Sequence, residues 1–547
     1  MPQLARPSLR TLFNARRSSI FRNHDRIATS IFTRPCSCTA SLSIEPNTTS
    51  AIKDLPKPAA DHRELAASQD LFTNSLYSPG SPLLLPNGAD MFIKLSNLLR
   101  SLYPQYGFRE VITPNIYKKS LWKKSGHWDN YSDDMFEVKG RGASGEEGGE
   151  IGENEEFGLK PMNCPGHCLL FAREKRSYRD LPIRYADFSS LHRNEVSGAL
   201  SGLTRVRRFH QDDGHIFCRP SQIESEIKKT MDFIQQIYGT IFNLGSYRLV
   251  LSTRPEDKFI GSLEEWDAAE TQLKNALAAT GRDWTLNEGD GAFYGPKIDI
   301  ILKDSDGKEH QTATIQLDFQ LPQRFGLTYT SPYAEEEQKG NVDDTSTAME
   351  GWNLRKQGTT VVHHDLESGP VTPVIIHRAI LGSLERFLAL MIEHYNGRYP
   401  FWISPRPAVI LTVSSQEDVL EYAEKVKQRM THFPARSSDT DTAKRFKFPI
   451  SKLSNNIHID MDTSKKSIGK KVQAAKDKGY NFIIVVGPKN ITAQSVSMEM
   501  HKQHDRFSAW RLLHHAGIVN QGEGLTVNEV SLEELEWFVR KMVVHYL

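Results

Sequence analysis

The sequence predicts an α+β protein in which a large mixed region is followed by a smaller α/β domain. The chain before residue 404 contains both kinds of pattern. Ala89–Leu99 has helical periodicity, and runs such as Thr312–Phe319 are of the β type. Pro405–Pro407 marks a linker. Residues 404–547 then alternate apolar β-type runs with helical runs, which is typical of a separate α/β domain.

The composition is that of an ordinary globular protein and excludes several extreme classes. Of 547 residues, 25% are charged and 38% are hydrophobic, and the formal net charge is +1. Such a balance gives no global attraction to nucleic acid or membranes, so any basic surface must be local. Because no apolar run approaches the roughly 18–20 residues that a bilayer requires, no membrane partner is expected.

The N-terminal segment has the composition of an organellar transit peptide. Residues 1–44 contain seven arginines, many Ser and Thr, and a single acid, Asp25. This composition lacks the apolar core of a secretory signal. We therefore predict that residues 1–45 are a mitochondrial transit peptide or a disordered segment. A basic tail that binds nucleic acid is the alternative, and composition alone leaves a chloroplast destination open.

The cysteines point to a reducing compartment. Five are present, and Cys36 and Cys38 lie in the segment that we expect to be removed. The remaining Cys164, Cys168 and Cys218 are too few for a disulfide framework, which favours thiols or metal ligands.

Two polar inserts interrupt the large region. Gly140–Gly158 contains seven glycines and six glutamates, so it should be a solvated loop without a core. Ala334–Gly358 is also polar and acidic and shows no clear period. We assign both to loops within a domain that spans residues 46–403.

The stretch Leu191–Cys218 combines groups suited to phosphates and to a metal. Arginine binds phosphate oxygens through two parallel hydrogen bonds, so its arginines suit a polyanion such as a triphosphate. The intervening EVSGALSGLT is predicted as a flexible loop between two strands. The alternative is a basic hairpin stabilised by its own Arg–Asp pairs. The polar residues are Arg193, Arg205, Arg207, Arg208, Gln211, Asp212, Asp213 and His215.

The other elements are predicted from periodicity and turn residues. We predict helices in Asp61–Phe72, Tyr117–Lys124 and Ser221–Leu244, a strand in Phe108–Ile112, a rigid turn in Leu159–Cys168, and a strand that enters a long helix in Pro373–His394.

Three residues stand out as potential metal ligands, namely Cys164, His215 and His377. They are far apart in the sequence, so no short ligand spacing supports them. A histidine on an apolar strand, such as His377, is more often a packed core residue than a ligand.

Several motifs, taken together, resemble the catalytic domain of threonyl-tRNA synthetase, a class II aminoacyl-tRNA synthetase. The similarity extends from about Asp61 to Arg406 and continues more weakly beyond it. The resemblance implies an antiparallel sheet flanked by helices in residues 46–403 and an anticodon-binding domain in residues 404–547. The motifs are LKPMNCPGH at 159–167, RNE at 193–195, RVRRF at 205–209, QDDGHIFC at 211–218, GAFYGPKID at 291–299, IQLDF at 315–319 and PVIIHRAILGSLERF at 373–387.

The resemblance implies ATP-dependent ligation of L-threonine to tRNA-Thr through a threonyl-adenylate, with Mg²⁺ accompanying ATP. Arg193 matches the arginine that holds the α-phosphate and the amino-acid carboxylate. Glu195 matches the residue that bonds the adenine amine, and Phe209 matches the ring that stacks on adenine. Arg205 and Arg386 match contacts to the γ-phosphate. Gln311 is also assigned to ATP.

The same resemblance assigns Cys164, His215 and His377 as zinc ligands. A thiolate and two imidazoles leave coordination positions open, as in catalytic zinc sites. In the family these positions take the amino group and the hydroxyl of threonine, so valine is rejected. The residues expected beside the substrate are Asp213, which accepts a hydrogen bond from the threonine hydroxyl, Gln211, Tyr294, Met162 and Lys297.

His127 matches a histidine that is thought to assist transfer to tRNA. A histidine near its ordinary pKa can act as a base at neutral pH, and a structural histidine is the alternative. We interpret Cys168 and Cys218 as buried thiols. His167 and His210 are not expected to be ligands.

Two departures from the family pattern bear on tRNA. Glu499 stands where the family commonly has an arginine, which puts the usual anticodon contact in doubt. The segment before Asp61 is too short for the family's editing domain, so no hydrolysis of seryl-tRNA by this chain is expected. Four lysines lie at a predicted helix start, namely Lys465, Lys466, Lys470 and Lys471. Contact with phosphates is one interpretation of them, and a solvated helix end is the other.

We therefore predict a homodimeric mitochondrial-matrix enzyme, with FREVITP (108–114) at the dimer interface as in the family. A related class II synthetase for serine or proline is one rival, but it would not explain Cys164, His215 and His377. A non-catalytic tRNA-binding paralogue is another, and its expected signature is loss of Arg193 or Arg386. Both arginines are present.

Overall fold

The structure is a computed structural model of the chain. It describes residues 60–139, 156–244, 247–257, 259–340, 342, 355–356, 359–360, 368–433, 453–454, 457–519 and 526–547. The predicted transit segment and most of the first insert therefore lie outside the described residues. Within this part of the chain, no helix is both long enough and apolar enough to cross a bilayer.

A mixed sheet forms the centre of the larger region. Its pairings are antiparallel except at its two ends, where Arg248–Ser252 with Trp284–Asn287 and Arg109–Glu110 with Ile183–Asp187 are parallel. Ser190–His192 pairs with the start of Arg208–Cys218. The order across the sheet is Trp284–Asn287, Arg248–Ser252, Lys297–Lys303, Glu309–Asp318, Val374–Ser383, Arg208–Cys218, Ile183–Asp187 and Arg109–Glu110.

Helices pack against this sheet and form one large hydrophobic core with it. Ile223–Gln235 continues into a π-helix at Gln236–Ile241. Leu384–His394 follows directly from the strand Val374–Ser383. The other helices of this region are His62–Gln69, Pro86–Leu102, Lys119–Ser125, His127–Tyr131, Cys164–Ala172, Leu263–Ala279, Gln320–Phe325 and Ala334–Gln338.

Short strands complete the larger region. They form small sheets. Two of these sheets are pairs, Phe72–Thr73 with Leu83–Leu84 and Arg355–Lys356 with Thr359–Thr360. In a third sheet, Phe157–Leu159 lies between Ile116–Lys118 and Glu137–Val138. In a fourth, Tyr329–Ser331 lies between Gly369–Val371 and Arg176–Ser177.

The C-terminal region has its own sheet and its own hydrophobic core. In the order given next, the first three strands of the sheet are parallel to one another, and each of the last two is antiparallel to the strand before it. The strand order is Ile459–Asp462, Ala408–Thr412, Phe482–Val486, Ser495–Met500 and Thr526–Ser531. Among the described residues of this region, the helices are Glu417–Thr431, Ile468–Lys478, Pro488–Ala493, Arg506–His515 and Leu532–Val544. His432–Phe433 pairs with Leu453–Ser454. This arrangement is the α/β architecture that the alternation predicts.

Several sequence predictions of local structure need correction. The strand predicted in Phe108–Ile112 is limited to Arg109–Glu110. The predicted helix in Tyr117–Lys124 begins at Lys119, because the preceding residues pair as a strand. The rigid turn predicted in Leu159–Cys168 is wrong from Cys164 onward. There a helix begins with Pro165 in its first turn, where the missing N–H costs nothing.

The second predicted insert begins with ordered structure. Ala334–Gln338 is a helix, and its Glu337 is 2% exposed. The Glu337 carboxylate accepts hydrogen bonds from both Nε (2.5 Å) and an Nη (2.9 Å) of Arg219 and from the Tyr329 hydroxyl. A buried acid with these partners was not predictable from an aperiodic polar run, because its partners are distant in the sequence.

The expectation for Lys471 is also wrong. Its ammonium group is buried and donates to the carbonyl and hydroxyl oxygens of Thr412 and to the carbonyl of Asp462. Its ammonium group is therefore engaged within the domain and is not part of a solvated helix end. Lys465, Lys466 and Lys470 lie at the start of the Ile468–Lys478 helix as predicted.

Candidate active site

The register of the two central strands brings distant residues together. His215 on Arg208–Cys218 lies directly opposite His377 on Val374–Ser383. Because side chains alternate between the faces of a strand, Asp213 lies on the same face as His215. Gln316 of the next strand lies opposite His377. The sheet thus presents two imidazoles, a carboxylate and an amide on one surface.

The helix that begins at Cys164 adds a thiol to these imidazoles. Cys164, His215 and His377 are all buried, and one potential ligand atom of each lies within 4.8 Å of the others. The Nε2 of His215 and the Nδ1 of His377 are 2.9 Å apart. The structure therefore unites three residues that are separated by up to 213 sequence positions.

Hydrogen bonds on the outer side orient both imidazoles. The Nε2 of His377 lies 2.8 Å from the carboxylate of Asp318, which is fully buried. The Nδ1 of His215 lies 2.7 Å from the Nδ1 of His167, and the other nitrogen of His167 is 3.6 Å from the carboxylate of Asp187. Each imidazole thus has one nitrogen held by a partner and one facing the other imidazole.

Burial disfavours charge on the cluster. It raises the pKa of the Cys164 thiol well above its ordinary value, and the nearby Asp213 adds to this effect. Burial also lowers the pKa of His215 well below its ordinary value, and His377 contributes in the same direction. A cation at this position would stabilise the thiolate and would favour neutral imidazoles, which are the forms that bind metals.

Polar side chains surround the cluster. Burial raises the pKa of Asp213, whose carboxylate accepts a hydrogen bond from Asn163 at 3.1 Å. The ring of Tyr294 stacks on His377 with centroids 5.0 Å apart, and its hydroxyl donates to Gln316. Met162 is half-buried and packs against the hydrophobic cluster that contains Cys164.

A cavity of about 240 Å³ lies beside this cluster on the same sheet. It is lined by every residue that the sequence assigns to ATP, together with two of the expected substrate residues and several small polar groups. These lining residues are Arg193, Glu195, Thr204, Arg205, Val206, Phe209, Gln211, Lys297, Gln311, Thr312, Thr314, Gln316, Gly382, Ser383 and Arg386.

Two arginines enter this cavity from different elements. The guanidinium of Arg193 lies over the ring of Phe209 at 5.0 Å, and its Nε is buried without a hydrogen-bond partner among the described residues. Arg386 stands in the first turn of Leu384–His394 and donates to the carbonyls of Thr204 (2.9 Å) and Gln311 (3.0 Å). Burial lowers its pKa, and Arg193 and Arg205 add to this effect. These clustered positive groups suit an anionic ligand.

The loop between Arg193 and Arg205 is stabilised by contacts among residues in and next to it. Arg205 pairs with Glu195 at 2.7 Å, although the Arg205 side chain is 53% exposed. Arg207 donates to the Glu195 carbonyl at 2.9 Å and to the Ser197 hydroxyl at 3.2 Å. Arg208 donates to the hydroxyl of Ser190 at 3.2 Å. Arg207 therefore stabilises the loop, a role that the sequence did not indicate.

Lys297 and Gln311 line the cavity and contact carboxylates beside it. Lys297 lies 3.0 Å from Asp299 and 3.2 Å from Asp290. Burial opposes the charge of Lys297, but these two carboxylates raise its pKa. Gln311 donates to Asp299 as well. Lys297 and Gln311 thus occupy the predicted region, where both contact Asp299.

His127 does not have the ordinary pKa that the sequence interpretation assumed. It is fully buried, and burial lowers its pKa to about 3, with smaller effects from His377, Arg324 and Arg193. Its Nδ1 is 2.8 Å from the Ser125 hydroxyl, and its Nε2 is 3.6 Å from the Cys164 sulfur. His127 is therefore a neutral imidazole at physiological pH.

Family models match both regions. The model described as tRNA synthetase class II core domain (G, H, P, S and T) matches residues 149–349, and the model described as anticodon binding domain matches residues 408–508.

Relatives with similar sequences decide the family. A protein of Schizosaccharomyces pombe named probable threonine–tRNA ligase, mitochondrial, is 46% identical over 446 residues, which cover 81% of this chain and 85% of the relative. The chain belongs to the threonyl-tRNA synthetase family. The mitochondrial threonine–tRNA ligase of Saccharomyces cerevisiae is 41% identical, with 82% of this chain and 88% of the relative covered. A human cytoplasmic relative is 45% identical, and the match covers about half of it (51%).

Solved structures agree with this assignment. A crystal structure titled as the RNA binding domain of threonyl-tRNA synthetase from Cryptosporidium parvum has a TM-score of 0.66 and 40% identity, and the match covers 88% of this chain and 98% of that one. A prolyl-tRNA synthetase from the same organism has a TM-score of 0.53 at 13% identity, which shows a shared fold. The predictions of a class II threonine–tRNA ligase and of its α+β fold are confirmed.

The enzyme also contains supporting residues that the sequence interpretation did not identify. Asp318 and Asp187 were unassigned, and His167, which was not expected to be a ligand, contacts His215. Asp212 accepts hydrogen bonds from three consecutive backbone amides and so fixes the strand that precedes Arg386. Asp318 lies in the IQLDF motif, so its place at a strand end was a usable signal. Cys168 and Cys218 are buried, as predicted.

Proposed function

We propose that the enzyme activates L-threonine with ATP to threonyl-adenylate, transfers it to tRNA-Thr and selects threonine through a zinc ion held by Cys164, His215 and His377. The cluster of one thiol and two imidazoles on the active-site sheet carries this proposal. Serine and proline synthetases, the rivals within the class, offer no reason for such a cluster. Zn²⁺ prefers these donor types, and three protein ligands leave a position for substrate.

The donor set fits a zinc ion in detail. His377 and His215 face each other with nitrogens that lack other partners on that side, while Asp318 and His167 hold the remaining nitrogens. Such outer hydrogen bonds fix the tautomer of a metal-binding histidine. A bound zinc ion would act as a Lewis acid that takes the amino and hydroxyl groups of threonine.

Side chains beside the cluster would read the rest of the amino acid. Asp213 would accept the hydrogen bond of the threonine hydroxyl, with Asn163 holding its carboxylate in place. Tyr294, packed on His377, would close one side of the pocket, and Met162 would supply apolar contact for the methyl group. Gln211 lies at the junction with the cavity.

The cavity would hold ATP with Mg²⁺. Arg193 has a buried Nε that needs an acceptor, and a phosphate oxygen would provide one. Arg386 and Arg205 would bind the γ-phosphate, while Phe209 would stack on adenine and Glu195 would accept a hydrogen bond from the adenine amine. Attack by the threonine carboxylate on the α-phosphate increases negative charge on the phosphates, and preorganised arginines stabilise that charge. Lys297 and Gln311 complete the wall of the cavity.

His127 enters the proposal as a neutral imidazole beside Cys164. Its expected part in transfer to tRNA stays a prediction. Replacement by alanine should slow transfer of a preformed adenylate to tRNA-Thr while sparing adenylate formation, measured in single-turnover reactions.

The assembly and location are further parts of the proposal. Ile112 is 89% exposed beside the edge strand Arg109–Glu110, which supports a homodimer interface there. The transit-like composition of residues 1–44, and the mitochondrial names of two relatives, support import into the mitochondrial matrix. The boundary near residue 404 and the anticodon contacts of residues 404–547 stay predictions.

Pyrophosphate exchange with a panel of amino acids tests the proposed function. The enzyme should exchange pyrophosphate into ATP in the presence of threonine, contain about one zinc per chain by elemental analysis, and charge tRNA-Thr. Cys164→Ser should lose zinc and exchange together. Exchange with proline alone, or with no amino acid, would reject the proposal.

Serine tests how the pocket reads the substrate. Serine keeps both metal-binding groups and lacks one methyl, which is worth roughly 10–200-fold in discrimination. We therefore expect measurable serine-dependent exchange at about that disadvantage relative to threonine. A failure to detect serine activation at 1,000-fold sensitivity (a limit set from that range) would show that the pocket reads the methyl group far more strongly.

A further inference from the structure

A buried histidine outside the cavity connects two elements that line it. We infer that His62 is a positioning residue. It fixes the position of the loop that leads into Arg205 relative to the helix that carries Arg386. The inference rests on the proposed function for its effect on ATP, but its structural basis is independent. His62 is 4% exposed and belongs to the His62–Gln69 helix, none of whose residues lines the cavity.

Hydrogen bonds fix the tautomer of His62. The backbone N–H of Leu203 lies 3.2 Å from its Nε2, and a backbone amide can only donate. The Nε2 is therefore unprotonated, and the ring proton is on Nδ1. That proton is donated to the carboxylate of Glu393 at 2.7 Å. His62 thus connects the amide of Leu203 to the carboxylate of Glu393.

The loop side of this connection leads directly to the cavity. Gly202 has a φ of +46°, and a Cβ there would lie 2.1 Å from the His62 Nε2, so the ring fills the space of a missing side chain. Leu203 is 1% exposed. The next two residues, Thr204 and Arg205, both line the cavity. A shift of Leu203 would therefore displace groups that we assign to ATP.

The carboxylate side leads to the same cavity through the Leu384–His394 helix. Glu393 is near the end of this helix, and Arg386 is in its first turn. Arg386 in turn donates to the carbonyl of Thr204 at 2.9 Å. The loop and the helix are thus joined twice, once by Arg386 at the cavity and once by His62 behind it. The connection through His62 therefore fixes the orientation of the helix relative to the loop, and with it the geometry of the bond from Arg386 to Thr204.

The same residues do not form a second metal site. Asp61, His62 and Glu393 offer ligand atoms within 4.8 Å of one another. Both ring nitrogens of His62 are already engaged, and the Asp61 carboxylate is bonded by Arg63 at 2.6 Å. The group is therefore satisfied as a hydrogen-bond connection.

Two conservative substitutions separate the two bonds. In His62→Gln, the amide reaches the position of Nε2 and its oxygen can accept from Leu203. The side-chain contact with Glu393 is lost, but the backbone N–H of residue 62 still donates to the Glu393 carboxylate at 3.3 Å. In His62→Asn, the amide reaches the position of Nδ1 and can donate to Glu393, whereas Leu203 is left without a partner. Asp61→Ala is the matched control, because it removes the N-cap of the same helix and leaves both bonds intact.

We expect His62→Asn to raise the KM for ATP in threonine-dependent pyrophosphate exchange by about five- to tenfold. The KM for threonine should not change. Hydrogen exchange at the Leu203 amide, measured without substrates, should accelerate at least about tenfold. His62→Gln should stay close to the unsubstituted enzyme in both measurements, because it keeps an acceptor for Leu203 and the backbone bond to Glu393. Asp61→Ala should lower the Tm and leave both measurements unchanged.

Two results would overturn the inference. One is an unchanged KM for ATP and unchanged Leu203 protection in His62→Asn, which would leave His62 as a packing residue. The other is equal effects of His62→Asn and Asp61→Ala, which would trace the change to stability of the helix. Loss of threonine-dependent exchange in the unsubstituted enzyme would instead reject the proposed function, while the hydrogen-exchange comparison would still decide the positioning role.

Discussion

The two halves of the active site are built differently, although they share one sheet. The half that we propose to bind zinc, called the metal half, consists of Cys164, His215 and His377, and all three are buried. The half that we propose to bind ATP, called the ATP half, is an open cavity, where Arg205 is about half exposed and forms an ion pair with Glu195. The first half is held by partners that lie outside it, whereas the second is held partly by pairs among the binding residues themselves.

This difference indicates how each half responds to its ligand. Asp318 and His167 orient the imidazoles from behind, so a metal ion could bind without rearrangement of those contacts. In the ATP half, Arg205 and Glu195 form an ion pair, so the proposed contacts with phosphate and adenine would require these two side chains to separate. We therefore expect the metal half to be preorganised and the ATP half to rearrange when ATP binds.

Removal of Arg193 should have the largest effect and should be confined to the ATP half. Arg193→Ala removes a preorganised donor to the α-phosphate, so we expect pyrophosphate exchange to fall by about 10²–10³-fold in kcat. The zinc content should not change, because Arg193 is not part of the metal cluster.

Arg208→Ala is the matched control for this arginine. Arg208 is exposed, donates to Ser190, and does not line the cavity, so its removal should leave exchange unchanged. Equal losses in the two variants, or zinc loss in Arg193→Ala, would mean that the halves are not separate.

Asp318→Asn should affect the metal half by a smaller amount. Loss of the carboxylate charge behind His377 should weaken zinc binding by about 10–100-fold in a chelator competition. The KM for ATP should not change. Asp304→Asn removes the carboxylate of another histidine pair, His310 with Asp304 at 2.7 Å, and should not alter zinc affinity. Equal zinc affinity in Asp318→Asn and the unsubstituted enzyme would contradict the preorganised site.

Arg205→Ala should have the smallest effect. The guanidinium is about half exposed, so water screens its contact with the γ-phosphate. We expect the KM for ATP in pyrophosphate exchange to rise about three- to tenfold, with the KM for threonine unchanged. A loss as large as that of Arg193→Ala would show that the loop already has its ATP-bound arrangement.

The sequence was most informative about residues that lie in recognisable motifs. Cys164, His215 and His377 were correctly grouped through family resemblance, and every residue assigned to ATP lines one cavity. The pKa of His127 was not predictable, because burial is a property of the tertiary structure. The same holds for Asp318 and His62, whose roles come from partners on other elements.

For the fold, long periodic segments were predicted well and short ones were not. Ser221–Leu244 and Pro373–His394 contain the expected helix and strand-to-helix elements. Leu159–Cys168 was misjudged because Pro and Gly near its centre are typical of turns, yet Pro165 occupies the first turn of a helix. The Ala334–Gln338 helix is held by Glu337 through Arg219, a contact that no local pattern could reveal.

The ratio of kcat/KM for threonine to that for valine tests the central claim most directly. Both amino acids would be measured by pyrophosphate exchange on the same enzyme, with zinc content determined in the same sample. If the cluster of Cys164, His215 and His377 selects threonine through its hydroxyl, threonine should be preferred by about 10⁴-fold or more. A ratio near 10²-fold, which is expected of a pocket that reads shape alone, would contradict it.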